Sequence, residues 1–155
     1  MSRLYPDAPR IGVSVLCHRD GRVLMVKRGK DPYKGHWSLP GGLVELGETL
    51  LEAAERELLE ETGAKAHLEM PAETFDSIQR DADGRVSAHF ILAVFCGAYR
   101  CGEARPGDDA ADLEWVPLER LEDRLTTRHA GAGPPSPRPG APIGRPGTIS
   151  WDQHL

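Results

Sequence analysis

The octapeptide RELLEETG, residues 56–63, carries three glutamates and an arginine. Laid on an α-helix at roughly 100° per residue, Glu57, Glu60 and Glu61 fall within an arc of about 100°, so their carboxylates crowd one face. Like charges at such spacings cost on the order of a few tenths of a kcal/mol per pair. Hard divalent cations such as Mg²⁺ take oxygen ligands, and carboxylates at i, i+3 and i+4 supply them from one rigid element. A cation held there could bridge to substrate phosphates, neutralise charge at phosphorus and acidify a water, which is the chemistry of phosphoryl or nucleotidyl transfer to water. The competing reading is a solvated glutamate face steadied by pairs such as Glu52 with Arg56 at i, i+4.

The surrounding elements must hold this face in place. Thr49 with Glu52 three residues on forms a capping box, and Gly63 suits the position after the last turn, so a helix is expected over about residues 50–62. Leu51, Ala54 and Leu58 supply its apolar stripe. Upstream, residues 11–28 read as two β-branched strands around Asp20-Gly21, a pair suited to a type I′ turn. WSL is a short extended stretch, and Pro40-Gly41-Gly42 should be a loop. Downstream, KAHLEM reads as a strand. Residues 72–80 and 86–99 read as two longer strands joined near Asp83-Gly84, with HFILAVFCGAY apolar enough to be central. LEWVPL follows as a strand and LERLED as the start of a second helix.

The length of 155 residues suits one compact domain. A net charge of −5 argues against a nucleic-acid polymer or a membrane surface as partner, so any nucleotide the protein meets is expected to be a small ligand. Cys17, Cys96 and Cys101 are odd in number and lack a CxxC pairing, and the six histidines show no zinc spacing. The segment MSRLYPDAPR has no apolar signal core, and no run approaches the roughly 20 apolar residues of a membrane span, so a soluble, cytoplasmic protein is expected. Residues 131–147 are Gly or Pro at eleven of seventeen positions, a composition that sustains neither helix nor central strand. The expected organisation is therefore a domain over residues 1–127 and a disordered or loosely draped tail over 128–155.

A longer window decides between the two readings of the glutamates. Residues 42–64, GLVELGETLLEAAERELLEETGA, fit G-x5-E-x7-R-E-U-x-E-E-x-G-U at each fixed position, with Leu58 and Ala64 in the aliphatic places. This stretch resembles the Nudix box, the signature of the Nudix hydrolase family, and the likeness extends over about residues 10–123. The resemblance implies an α/β fold, an α/β/α sandwich around a mixed central sheet. It also implies hydrolysis of a nucleoside diphosphate linked to another moiety, with Mg²⁺ or Mn²⁺.

By the same resemblance Glu57, Glu60 and Glu61 are metal ligands, Glu57 is a candidate general base, and Arg56 holds the glutamates in position. A backbone carbonyl of Gly41 or Gly42 commonly joins the metal shell in this family. Glu48 and Gly63 belong to the motif's framework, Glu48 through internal hydrogen bonding and salt bridging. Some members take the base from a loop after the central strands, which here contains PGDDAAD, so Asp108 and Asp109 are candidates for a metal-water contact or the base. Asp108 can equally be a substrate contact or a turn residue. Arg28 resembles a position that grips substrate phosphate by a bidentate fork. Lys27, Lys30 and Lys34 are weaker candidates, and Trp37 either stacks on a base or packs in the core.

The family's substrates include ADP-ribose and other nucleotide sugars, dinucleoside polyphosphates and nucleoside triphosphates, and the flanking segments look most like small ADP-ribose pyrophosphatase or nucleotide-pool-cleaning members. The alternative is a non-catalytic Nudix domain that senses a nucleotide. Many members form homodimers, a point on which the spacing is silent.

Overall fold

The computed structural model describes residues 5–29, 34–107, 110–121 and 123. Strands β1 (Arg10–Arg19) and β2 (Arg22–Arg28) form the expected hairpin, with His18 opposite Val23 and Arg19 opposite Arg22. Asp20 and Gly21 both have positive φ, 51° and 72°, as a type I′ turn requires. Strand β3 (Trp37–Ser38) pairs with Lys27 and Val26 of β2.

Here the structure departs from the expected loop at Pro40-Gly41-Gly42. Gly41–Leu43 is a strand, β4, antiparallel to β1 through Gly12, Val13 and Ser14. Glycine propensity argues for a loop, yet the pairing needs a bare backbone: a Cβ on Gly41 would lie 2.1 Å from the Val13 carbonyl oxygen. The tertiary contact overrides the local preference.

Helix α1 (Leu50–Thr62) begins and ends as the caps dictate. Thr49 accepts a hydrogen bond from the Glu52 N–H, Glu52 returns one to the Thr49 N–H, and Gly63 closes the helix at φ 72° with its N–H on the Leu59 carbonyl. Of the expected stripe, Ala54 and Leu58 are fully buried and Leu51 packs at the margin, while Ala53 and Thr62 complete the buried face. After α1, regular pairing in KAHLEM is confined to β5 (Lys65–Ala66). Strands β6 (Glu73–Arg80) and β7 (Val86–Cys101) form the second hairpin, and β8 (Ala110–Pro117) lies antiparallel to β2.

Strand β7 is central. It runs parallel to β1 from Arg10/Phe90 to His18/Ala98 and carries β5 and β6 antiparallel, so the sheet is mixed. Alternation along the strands divides the core in two. Val13, Val15, Cys17, Leu24, Ala93 and Phe95 meet α1 on one face. Leu16, Val23, Met25 and Val116 form a second cluster on the other face, closed by Leu118 and the buried Leu121. A 3-10 turn at Leu118–Arg120 occupies the start of the expected second helix. This is the α/β/α architecture in its described part; the tail expected over residues 128–155 lies outside the described residues. No helix among the described residues is long and apolar enough to cross a membrane.

Candidate active site

Arg56 organises the acidic face of α1. Its Nε and Nη2 form a fork on Glu48, 2.6 Å to Oε1 and 3.0 Å to Oε2, and Nη2 also donates to the Leu43 carbonyl at 3.1 Å. Nη1 reaches Glu57 Oε1 at 2.8 Å and Glu60 Oε2 at 3.3 Å. The Glu52–Arg56 pair of the solvated-face reading gives way to this arrangement, because the Glu52 carboxylate is taken by the helix cap, accepting from the Thr49 N–H at 2.8 Å. Glu48 also accepts from the Glu45 N–H at 2.9 Å, so one carboxylate ties the approach loop to the helix. The hydrogen bond from Arg56 holds the Glu48 carboxyl below the usual carboxylate range, and the Glu48 and Glu57 carboxylates in turn hold the guanidinium firmly protonated.

The glycine strand forms the opposite wall. Glu61 Oε2 accepts from the Gly41 N–H at 3.3 Å. Glu57 lies directly against Gly42, where an added Cβ would be 2.3 Å from Oε1 and 2.5 Å from the carboxyl carbon. Thus the Glu57 and Glu61 carboxylates meet the Gly41–Gly42 backbone, while Glu60, more exposed at 45%, reaches Arg56 from the outer side. Glu60 and Glu61 stand in the last turn, at the negative end of the helix dipole, and that turn carries no basic residue. Excess negative charge is therefore concentrated where a cation would relieve it.

These residues fit a hard divalent cation. The donors are carboxylate oxygens from one helix face, and Glu57 lies so close to Gly42 that any side chain there would displace it. Among the described residues no three acidic, histidine or cysteine side chains form a ready-made cage. Arg56 Nη1 bridges Glu57 and Glu60 and offsets part of their charge.

Residues 8–137 match the NUDIX domain family. The chain belongs to the Nudix hydrolase superfamily. It is 40% identical over 120 residues to an ADP-ribose pyrophosphatase of Methanocaldococcus jannaschii, covering 77% of this chain and 68% of the relative. The crystal structure of a MutT NUDIX hydrolase from Burkholderia pseudomallei superposes with a TM-score of 0.65 at 32% identity, over 73% of this chain and 86% of that one. A bifunctional NMN adenylyltransferase/ADP ribose pyrophosphatase from Francisella tularensis, solved with AMP and a manganese ion, superposes with a TM-score of 0.56 at 31% identity, over 76% of this chain and 37% of that one. The protein is thus a Nudix-type hydrolase close to the MutT-like and ADP-ribose-pyrophosphatase-like members, which act on nucleoside-diphosphate-type substrates.

The remaining candidates divide by face. Leu24 packs on the α1 side, and Arg28, at the end of β2, stands opposite Ala110 of β8 just past a register shift between Lys27 and Arg28. The Arg28 N–H donates to the His36 carbonyl at 2.9 Å and its carbonyl accepts from the Gly35 N–H at 2.8 Å, while its Nε is buried and has no hydrogen-bond partner among the described residues. Trp37 pairs with Lys27 and packs with Leu39 on the opposite cluster, so the structure does not bring it to the Nudix carboxylates. Lys34 lies in the exposed turn before β3, and Lys30, Asp108 and Asp109 lie outside the described residues. Sequence reasoning passed over the backbone N–H groups of Arg105 and Gly107, which donate to the Thr62 and Glu61 carbonyls, both at 2.9 Å. Gly63, Gly102 and Gly107 are the local signals in the sequence for so close a contact.

Proposed function

We propose that this Nudix protein hydrolyses the diphosphate bridge of ADP-ribose or a similar nucleoside diphosphate sugar, using Mg²⁺ or Mn²⁺. The observation that carries the reading is the meeting of Glu57 and Glu61 with the Gly41–Gly42 backbone while Arg56 steadies Glu57 and Glu60. The named activity of the Methanocaldococcus jannaschii relative supports the substrate class.

In the proposed reaction a water oxygen attacks one phosphorus, the bridging P–O bond breaks, and the bridging oxygen leaves with the other phosphate. With ADP-ribose the products are AMP and ribose 5-phosphate. A divalent cation bound by Glu57, Glu60 and Glu61, with a carbonyl of Gly41 or Gly42, would supply charge neutralisation at the phosphates and acidity to water. Glu57, or Asp109 from the β7–β8 loop, takes the water's proton, and Asp108 is placed by the sequence beside it. Arg56 keeps the carboxylates aimed and partly neutralised before substrate arrives. Arg28, with a buried Nε that no described residue satisfies, offers its guanidinium to a substrate phosphate.

The reading is tested by incubating the purified protein with Mg²⁺ and a panel of ADP-ribose, other nucleotide sugars and nucleoside triphosphates, and measuring mononucleotide release. Turnover of ADP-ribose is expected. Binding of nucleotides with no turnover of any of them would replace the enzyme by a nucleotide-sensing domain.

A further inference from the structure

The carbonyl end of α1 is closed by a distant part of the chain. The segment after β7 lies across the last turn: Arg105 N–H donates to the Thr62 carbonyl and Gly107 N–H to the Glu61 carbonyl, each at 2.9 Å. Contact at Gly107 is close enough that a Cβ there would lie 2.5 Å from the Glu60 carbonyl oxygen. The same residue faces β8, because the Gly107 carbonyl accepts from the Ala110 N–H at 3.0 Å and Ala110 stands opposite Arg28 in the β2–β8 ladder. One glycine therefore touches the backbone of the turn that carries Glu60 and Glu61 and, one hydrogen bond later, the strand position paired with Arg28. Gly107 has no positive φ, so its backbone would accept any L residue and contact alone excludes a side chain.

We propose that Gly107 is a positioning residue for the metal-binding turn. It clamps the carbonyl end of the catalytic helix, fixes where the Glu60 and Glu61 carboxylates stand, and keeps that turn in register with Arg28. The N–H groups of Arg105 and Gly107 also bring positive dipole to a helix end that has no basic residue in its last turn. This inference rests on the reading of Glu60 and Glu61 as metal ligands. Catalytic and binding constellations tolerate little displacement, and a shift of about 1 Å can cost roughly a hundredfold.

The test is Gly107→Ala in the full chain, stripped of metal and titrated with Mn²⁺, with affinity read by electron paramagnetic resonance or calorimetry. The methyl group must push the loop off the helix, so the dissociation constant for Mn²⁺ should rise by about tenfold or more. Melting of the metal-free protein should fall by only a few degrees. Activity lost at low metal should return as Mn²⁺ is raised, which a merely structural defect would not show. An unchanged Mn²⁺ affinity would overturn the proposal, as would an activity loss that saturating metal leaves in place. Should the variant not fold, Ala110→Pro removes the N–H that holds Gly107 and leaves position 107 a glycine; it should weaken Mn²⁺ binding about threefold or more, and an unchanged affinity would again refute the clamp. Wild-type protein that binds Mn²⁺ yet hydrolyses no substrate would instead defeat the proposed activity and leave the clamp standing.

Discussion

Replacing Glu48 by glutamine tests the framework beneath the acidic face. The Arg56–Glu48 fork has two short charge-assisted bonds, 2.6 and 3.0 Å, between side chains only 23% and 13% exposed. Charge-assisted hydrogen bonds contribute about 1.5–3 kcal/mol net. Glutamine keeps one carbonyl acceptor for Arg56 but loses the charge and the second acceptor, so a loss of about 1–2 kcal/mol is expected at pH 7. For a domain of this size that corresponds to a fall of roughly 3–10 °C in Tm. The pH dependence follows from the lowered Glu48 carboxyl. A carboxyl whose folded pKa is depressed contributes stability above its unfolded pKa, about 4.3, and loses it as pH falls through the folded value. The gap between wild type and Glu48→Gln should therefore be full at pH 7 and shrink below about pH 4. Thermal melts at pH 7, 5 and 3, monitored by circular dichroism, check this. Equal melting at pH 7, or a gap of the same size at pH 3, would refute the assignment of Glu48 as the charged anchor of Arg56.

Further consequences follow from the same geometry. Glu60→Gln or Glu61→Gln should lower metal-dependent turnover by orders of magnitude while leaving metal-free Tm unchanged or slightly raised, because each removes a charge from the negative end of α1; steady-state kinetics with paired melts would show it. Gly42→Ala should cost at least about tenfold in kcat/KM, since the methyl group would sit 2.3 Å from Glu57 Oε1 and displace the carboxylate. Burial pushes the Cys17 thiol up to about 12, so a thiol reagent at pH 8 should label exposed Cys101 in the native protein and reach Cys17 only after denaturation; labelling followed by peptide mass spectrometry distinguishes the two.

Local chemistry was the legible part of the sequence. Asp20-Gly21, the Thr49–Glu52 box and Gly63 each state a backbone requirement within a few residues, and the structure places the turn and the helix ends accordingly. The three glutamates were equally readable, since helical spacing alone assigns them a common face. Features made by chain segments far apart were not. Gly41–Leu43 reads as a loop because what makes it a strand is β1, some thirty residues earlier, approaching a backbone without side chains. Helical spacing alone offers Glu52 to Arg56, as the solvated-face reading had it, but the cap claims Glu52, and Glu48 arrives from the approach loop. The clamp at Gly107 had no sequence signal beyond a glycine in a polar loop. Trp37 was ambiguous between stacking and packing until the β2–β3 register put it on the face away from α1.

The central claim is that the Nudix carboxylates serve hydrolysis of a nucleoside diphosphate sugar through a divalent cation. Its most direct test is the release of AMP from ADP-ribose by metal-stripped protein, measured with and without added Mg²⁺, in wild type and Glu61→Gln. The account predicts release only by wild type with Mg²⁺ and a loss of orders of magnitude in the variant. Equal rates for the two proteins, or no Mg²⁺ dependence in wild type, would contradict it.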